Sequence, residues 1–337
     1  MMASETPGDA ISSPLGNDPA TKIETRNLPK QAILIVNAMS RSGADAFEDV
    51  RNRLIAAGVD LIDAQAIDRP DQMGSAVRSA ITRAPMVIIG GGDGTLSTNV
   101  DFFVDRNTVF AFVPLGTANS FAGTLGIPKD VDKAIDVIAN GQKKWIDLGQ
   151  IDGDYFVNAA AIGLSPIIAE TVPHNLKRYL GVVGYLIWAF WCALRFRPFR
   201  MMIEDQDGRK DKLWATEIRI ANGTHHGGVE MIESQALDSG EIVIQAVAGK
   251  SVWGLAWSWF ATVLKLRSRH GTVREFRGSS IKLDTRPHLK ISIDGEVAAK
   301  TPVRVCVAHH AIEVAAPFDG QFDDWAGIGE FAITSLK

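Results

Sequence analysis

Short apolar runs alternate with amphipathic stretches along the first half of the chain. The apolar runs, rich in β-branched residues, predict buried strands at 31–37, 59–66, 85–90 and 109–114. The amphipathic stretches have the apolar spacing of helices and lie at 43–57, 71–84 and near 130–140. This alternation predicts a parallel sheet that helices cover on both faces.

The pattern changes near Trp145. Many short strands separated by turn residues follow, as in 155–163 and 241–249, which is typical of an antiparallel sandwich or barrel. We therefore predict an α/β domain and then a β-sandwich domain with helical insertions. The expected units are a disordered tail over 1–29, the α/β domain over 30–145, the sandwich over 146–316, and a C-terminal segment over 317–337 that packs back on the first domain.

Two tryptophan-rich segments are the expected helical insertions. The segment 179–194 contains no charged residue, and the segment 250–274 contains no acidic residue. A helix that spans a bilayer needs about 20 apolar residues, so neither segment is expected to cross a membrane. Core helices with solvated ends, and helices that lie at a membrane–water interface beside basic side chains, both explain this composition.

Length and charge limit the class of protein. A chain of 337 residues suits about two domains, and its formal net charge of −4 provides no basic field that would attract nucleic acid. Cys192 and Cys306 are too few for a disulfide framework or a zinc cluster, so a reducing compartment is the default expectation. Acidic residues without an apolar run near the N-terminus argue against a secretory signal peptide.

A glycine-rich turn, 90–95, directly follows the third predicted strand. Glycines let a backbone approach a phosphate closely, and the hydroxyls of Thr95, Ser97 and Thr98 add donors. Asp93 would repel a phosphate unless a cation such as Mg²⁺ lies between them. The turn lacks the lysine of a P-loop and does not open the first βαβ unit, as a dinucleotide-binding motif would. A plain strand-to-helix turn is the alternative interpretation.

Two further turns carry polar residues. The segment 114–121 also follows a strand, and ligands of parallel sheets gather at the carboxyl ends of strands. An ordinary turn with an Asn or Ser cap is the alternative there. Asp294-Gly295-Glu296 lies between two strand-like runs, where Asp-Gly is the commonest hairpin signal. Glu296 gains a chemical role only if this turn faces the first domain, where a carboxylate could accept a hydroxyl proton.

Three motifs, in this order, resemble those of the diacylglycerol kinase catalytic-domain family, which includes bacterial lipid kinases and the sphingosine and ceramide kinases. The motifs are Gly91-Gly92-Asp93-Gly94-Thr95, Pro114-Leu115-Gly116-Thr117-Ala118-Asn119 and Asp294-Gly295-Glu296. Shorter matches at Phe156-Val157-Asn158 and Asn222-Gly223 place the resemblance over about 32–316. NAD kinases share the first motif, so the combination identifies the family.

The resemblance implies a Rossmann-like α/β domain that binds ATP, a β-sandwich domain that binds lipid, and a cleft between them. It assigns catalysis to Asp93, Asp294 and Glu296, with Glu296 as the general base. The implied nucleotide contacts are Asn37, Ser40, Gly91, Gly92, Asp93, Gly94, Thr95, Leu96, Ser97, Thr98, Gly116, Thr117 and Asn119. The implied ligands of Mg²⁺ are Asp93 and Asp238, the latter in a loop where Ser239 replaces an acid of the family.

The implied function is the Mg²⁺-dependent transfer of the γ-phosphate of ATP to a lipid hydroxyl, diacylglycerol- or sphingosine-like, at a membrane surface. The expected location is cytoplasmic and peripheral at the inner membrane face, and exposed strand edges would allow a homodimer. The resemblance places the first nucleotide loop at 37–43, where Ala38 replaces the usual proline, and Ser120 stands where the family often has an aspartate. A kinase for a soluble substrate such as NAD, and a catalytically silent lipid-binding protein, therefore stay open as alternatives.

Overall fold

The computed structural model of the chain describes most of its length. The described residues are 27–39, 41–173, 184, 187–222, 225–226, 229–230, 237–249, 273–294 and 296–318. Most of the expected disordered tail, of the C-terminal segment and of the second tryptophan-rich segment lies outside them, as does part of the segment 179–194. Residues 27–29, the end of the expected tail, are described, and Asn27 forms a bridge to Gln142. Within the described residues, no helix is long and apolar enough to cross a membrane.

The first half is a parallel sheet between two layers of helices. Its strands, in the order β2–β1–β3–β4 across the sheet, are β1 (Gln31–Asn37), β2 (Asp60–Ile67), β3 (Met86–Gly91) and β4 (Val109–Pro114). Its helices are α1 (Arg41–Ala56), α2 (Pro70–Ile81), α3 (Asp93–Ser97), a 3-10 turn (Val100–Phe103), α4 (Ser120–Leu125) and α5 (Val131–Asn140).

Strand β1 shows why the apolar runs form buried strands. Its five central residues are fully buried, and their side chains alternate between the two faces. Ile33 and Ile35 pack in the cluster that contains α2 and α4, whereas Leu34 and Val36 pack in the cluster that contains α1 and α5. A strand that is covered on both faces needs a continuous apolar run, which is the pattern in the sequence.

The second half is antiparallel. Its strands are β5 (Gln142–Ile151), β6 (Asp154–Phe156), β7 (Ala159–Gly163), β8 (Phe199–Glu204), β9 (Lys210–Ala221), β10 (His225–His226), β11 (Val229–Glu230), β12 (Ile242–Ala248), β13 (Val273–Gly278), β14 (Ser280–Arg286), β15 (Lys290–Ile293), β16 (Glu296–Lys300) and β17 (Val303–Ala316). In the part of the chain that the structure describes, it is interrupted by α6 (Leu164–Thr171) and by α7, which is described at residue 184 and over 187–195. This arrangement and the parallel first half confirm the predicted fold class.

Strand β17 joins the two halves into one continuous sheet. Its first part pairs antiparallel with β14, and most of its length pairs antiparallel with β5. Near its end, Val314 pairs in parallel with Phe110 of β4. The expected domain boundary at residue 145 falls inside β5, and the division of the chain into two domains stays a prediction. Because β17 pairs with β4, the carboxyl ends of β3 and β4 lie at the junction of the two halves.

Candidate active site at the junction of the two halves

Two glycine loops meet at the carboxyl ends of β3 and β4. A Cβ atom on Gly116 would lie 2.6 Å from the Cα of Gly92 and 2.7 Å from Oδ1 of Asn119. A Cβ on Gly91 would lie 2.8 Å from Thr95. Real Cβ atoms do not approach other atoms this closely, so the contact between the loops requires glycine at 116, and the fold of the first loop against Thr95 requires it at 91.

Asp93 connects the two loops. Its Oδ2 accepts a hydrogen bond from the backbone N–H of Ser120 (3.0 Å), and its Oδ1 accepts one from that of Phe121 (3.2 Å). These donors belong to the first turn of α4, so the carboxylate holds this helix in place. An ionised carboxylate has about four acceptor positions, and each oxygen of Asp93 keeps one that no described residue occupies. The half-buried Asp93 is therefore a hard oxygen ligand of the kind that fits Mg²⁺.

Other residues of the first loop surround open space. The amide of Asn37 donates to Oγ1 of Thr95 (2.8 Å), which links the end of β1 to α3. A Cβ on Gly94 would meet no atom within 4 Å, so this residue leaves room for a ligand. The side chain of Leu96 is buried in the core, so only its backbone is available to a nucleotide. Thr98 donates its hydroxyl to the carbonyl of Gly94 (3.1 Å).

The second loop takes its shape from Asn119. This residue has a φ of 50° and is buried, and its amide binds both the N–H (3.1 Å) and the carbonyl (2.8 Å) of Gly116. Asparagine tolerates the left-handed conformation better than most residues. Thr117 is exposed at the tip of the loop. Asn119 therefore fixes the loop, while Thr117 and the backbone face solvent.

The predicted first nucleotide loop is shorter than the sequence indicates. The resemblance places this loop at 37–43, but α1 already begins at Arg41. The side chain of Asn37 accepts the N–H of Met39 (3.1 Å), which turns the chain directly towards the helix. Ser40 lies outside the described residues, so its nucleotide contact stays a prediction.

Asp294 joins the second half of the chain to the glycine loops. Its Oδ1 accepts the N–H groups of Asn158 (3.2 Å) and Ala159 (3.1 Å). Its Oδ2 accepts the N–H of Val157 (3.1 Å) and the hydroxyl of Ser97 (3.1 Å). Asp294 lies in the turn between β15 and β16 with a φ of 45°. The Asp-Gly turn therefore connects β15 to β16 as a hairpin, and it also contacts α3 through Ser97.

The surroundings of Asp294 define its chemical capacity. Burial raises the pKa of this carboxyl, and the four hydrogen bonds that it accepts oppose that rise. Four donors fill the four acceptor positions of a carboxylate. The predicted catalytic role of Asp294 stays a prediction, and the four hydrogen bonds show that its carboxylate holds the turn in place. Glu296 begins β16 opposite Ile293, two residues further along the same turn.

Asp238, the second predicted ligand of Mg²⁺, already has a cationic neighbour. Its Oδ2 lies 3.5 Å from Nζ of Lys144, and both side chains are exposed to solvent. A role in cation binding stays a prediction for Asp238. The sequence did not predict the amides of 157–159 as ligands of Asp294, although the Phe156-Val157-Asn158 motif was the available signal.

Two family models match the chain. The model described as the diacylglycerol kinase catalytic domain matches residues 31–151, and the YegS C-terminal NAD kinase beta sandwich-like domain matches residues 159–316. Together these matches support the diacylglycerol kinase catalytic-domain family. The resemblance stated from its motifs is confirmed.

Curated relatives in the family cover most of the chain. A diacylglycerol kinase of Bacillus subtilis (strain 168) is 29% identical over 268 residues, which are 75% of this chain and 86% of the relative. A diacylglycerol kinase of Staphylococcus saprophyticus is 26% identical over 298 residues, 86% of this chain and 96% of the relative.

Solved structures share the fold. A diacylglycerol kinase from Bacillus anthracis (strain Sterne) superposes with a TM-score of 0.68 at 21% identity and covers 85% of this chain and 97% of that one. Yeast NADH kinase in complex with NADH superposes with a TM-score of 0.51 at 14% identity, over 91% of this chain and 88% of that one. At these identities the likeness concerns the fold.

Proposed function

We propose that this member of the family is a lipid kinase that transfers the γ-phosphate of ATP to a lipid hydroxyl with Mg²⁺. The observation that carries the proposal is the contact of Ser97 with Asp294, which brings the Asp-Gly-Glu turn of the second half to the glycine loops of the first. Relatives named diacylglycerol kinase, which match along both halves, support the same activity.

The glycine loops are the proposed phosphate site. Gly94 leaves open space beside the backbone of α3, and Thr117 is exposed on the facing loop. Asp93 would hold Mg²⁺ through the oxygen positions that α4 leaves free. Bound Mg²⁺ would supply charge neutralisation for the phosphates. The protein contributes rigidity, because Asp93 and the Gly92–Gly116 contact fix the two loops relative to each other.

Glu296 is the proposed proton acceptor. The lipid hydroxyl would give its proton to the Glu296 carboxylate while its oxygen forms a bond to the γ-phosphorus and the bond to the ADP oxygen breaks. Asp294 is a positioning residue, because it fixes the turn on α3 and on the amides of 157–159. The buried Oδ1 of Asn158 has no hydrogen-bond partner within the described residues. A buried acceptor needs a donor, which a bound polar ligand or water would provide.

The exposed face of α7 is the proposed membrane contact. Ile187, Phe190, Trp191 and Leu194 follow helical spacing, and between 43% and 63% of each is exposed. The opposite face is anchored, since Cys192 is buried against Leu164, Ile168 and Val247. An apolar helical stripe of this kind suits the interfacial region of a bilayer.

Basic side chains border this face. The guanidinium of Arg195 lies 3.6 Å from the ring centroid of Trp191, and Arg197 and Arg200 follow along the chain. No acidic residue occurs between Thr171 and Ile203. An apolar stripe with a guanidinium against it, in a stretch of chain that carries arginines and no acids, favours a surface of anionic lipids, so we propose peripheral association with such a membrane.

Phosphate transfer from Mg²⁺-ATP to a panel of acceptors tests the proposed activity. The panel contains diacylglycerol, monoacylglycerol, sphingosine and ceramide in mixed micelles, with NAD in a parallel soluble assay. We expect a labelled lipid and no labelled NADP. Labelled NADP alone would assign a soluble substrate, as the fold shared with yeast NADH kinase allows. Lipid binding without any phosphate transfer would indicate a catalytically silent protein.

Vesicle flotation tests the membrane contact separately. We expect the chain to float with phosphatidylglycerol vesicles, and Trp191→Glu and Leu194→Glu to remain in solution while they still phosphorylate a short-chain acceptor. Ile55→Glu is the matched control, because Ile55 is also 50% exposed but lies on α1. Flotation of the two α7 variants at the wild-type level would contradict this assignment.

A further inference from the structure

Two neighbouring histidines lie on the same side of β17. The rings of His309 and His310 stack with centroids 3.9 Å apart and an angle of 23° between their planes. Successive side chains of a regular strand point to opposite faces, so this arrangement needs an irregularity. The pairing of β17 with β5 shifts between Ala308 and Ile312, and His310 has a φ of 48°. The bulge is what brings both imidazoles together.

A buried carboxylate lies next to these rings. Asp147 of β5 is 1% exposed, and its Oδ1 lies 2.9 Å from Nδ1 of His309. Its two oxygens also accept the backbone N–H groups of His310 (2.8 Å) and Gly240 (2.7 Å). Among the described residues, His309 is the titratable side chain that contacts Asp147. Lys144, three positions before Asp147 on β5, pairs with Asp238 instead.

The three side chains converge on one point. One ligand atom from each of Asp147, His309 and His310 can be chosen so that all lie within 4.8 Å of one another. Both histidines are exposed, so solvent can reach a further coordination position. The backbone amides that hold Asp147 orient its oxygens, as outer partners of metal ligands commonly do. A hydrogen bond between Asp147 and His309 alone would need neither the bulge nor the second imidazole.

We propose that Asp147, His309 and His310 form a binding site for a divalent transition-metal ion of the zinc class. Two imidazoles and one carboxylate are the ligand set of zinc sites with an open position, whereas Mg²⁺ prefers oxygen ligands. The site is made of residues other than those of the proposed phosphate site, and it does not depend on the kinase assignment. A bound ion would connect β5, the bulge of β17 and the 237–241 loop, whose Leu237 carbonyl accepts the N–H of Asp147 (2.6 Å).

Metal titration of the full chain, without a polyhistidine tag and after treatment with a chelator, tests the proposal. Zn²⁺ binding is measured by calorimetry and by metal analysis after gel filtration, and Co²⁺ substitution reports the ligand geometry by visible absorption. We expect one tight ion per chain and a higher unfolding temperature when Zn²⁺ is present. No bound Zn²⁺ above the buffer level would overturn the proposal.

Substitution of the two histidines tests whether they are the ligands of the ion. His309→Gln and His310→Asn should each lower Zn²⁺ affinity by more than about 100-fold, the upper range for loss of an outer partner alone. Asparagine is chosen at position 310 because it tolerates the left-handed backbone. His288→Gln is the matched control, since His288 forms an imidazole–carboxylate pair with Asp284 (3.1 Å) without a second imidazole. Unchanged affinity in both ligand variants would overturn the proposal. Loss of binding in a variant with alanine at both His225 and His226, with wild-type affinity in His309→Gln, would overturn it as well.

Discussion

Gly116→Ala tests whether the contact between the glycine loops builds the site. The new Cβ would lie 2.6 Å from the Cα of Gly92, about 1 Å closer than ordinary carbon–carbon contact at about 3.5–4.0 Å. The atoms in the way are the backbone of Gly92 and the buried amide of Asn119. Neither can move aside as the end of a flexible side chain could. The two loops must therefore separate, and the amide that holds the second loop must move.

The expected loss of stability is that of an overpacked site, about 1–3 kcal/mol. A change of 1 kcal/mol shifts the melting temperature by about 2–4 °C for domains of 150–250 residues, so we expect a shift of about 2–12 °C. Differential scanning fluorimetry measures this shift, and calorimetry measures the affinity for Mg²⁺-ATP. Both quantities should fall, because separation of the loops also moves Asp93 relative to α4.

Gly94→Ala is the matched control within the same loop. Its Cβ would meet no protein atom within 4 Å, and alanine in a helix is favoured over glycine by about 0.5–1 kcal/mol. We therefore expect unchanged or slightly higher stability but weaker ATP binding, since the methyl group would occupy the space assigned to a phosphate. Wild-type stability of Gly116→Ala, or wild-type ATP affinity of Gly94→Ala, would refute the reasoning.

Two further predictions concern Asp294. Ser97→Ala removes a hydrogen bond to a carboxylate, worth about 1.5–3 kcal/mol, and should lower kcat and the urea midpoint. Thr98→Ala is the control for the urea midpoint, because the Thr98 hydroxyl bonds the carbonyls of Gly94 and Thr95 and the amide of Asn99 but not Asp294. Asp294→Asn places an NH₂ group against donors and should destabilise the fold. Burial raises the pKa of Asp294 in the folded state. The folding stability that this carboxyl contributes to the wild type is therefore greatest below the usual pKa of an aspartate, and it is lost as the pH rises through the folded-state pKa. The destabilisation by Asp294→Asn should therefore shrink as the pH rises above the usual pKa of an aspartate; an increase over that rise would contradict the prediction.

The glycine loops could be predicted from the sequence because their signals are local. Each loop directly follows a buried apolar run, and the carboxyl ends of neighbouring parallel strands lie at one edge of a sheet. The fold class followed from periodicity for the same reason. The start of α1 was misplaced by two residues, because the turn made by the side chain of Asn37 has no apolar periodicity.

Contacts between distant segments could not be predicted in this way. Ser97 and Asp294 are 197 residues apart, and their hydrogen bond depends on how β15 is placed next to α3. The sequence pattern assigned Ser97 to phosphate binding, which stays a prediction, and the hydrogen bond from its hydroxyl to Asp294 was not expected. Asp93 likewise has a structural role towards α4 that its motif does not reveal. Motifs identify which residues gather, but tertiary packing decides which partner each side chain takes.

The most direct measurement is phosphate transfer from Mg²⁺-ATP to lipid by the wild type and by Glu296→Gln, with the ATP affinity of both. If Glu296 accepts the hydroxyl proton in a lipid kinase, the wild type forms a labelled lipid, and the variant loses about 10²–10⁴-fold in turnover at unchanged ATP affinity. Lipid phosphorylation by Glu296→Gln at a rate close to that of the wild type would contradict the assigned role. Absence of any labelled lipid from the wild type would contradict the function itself.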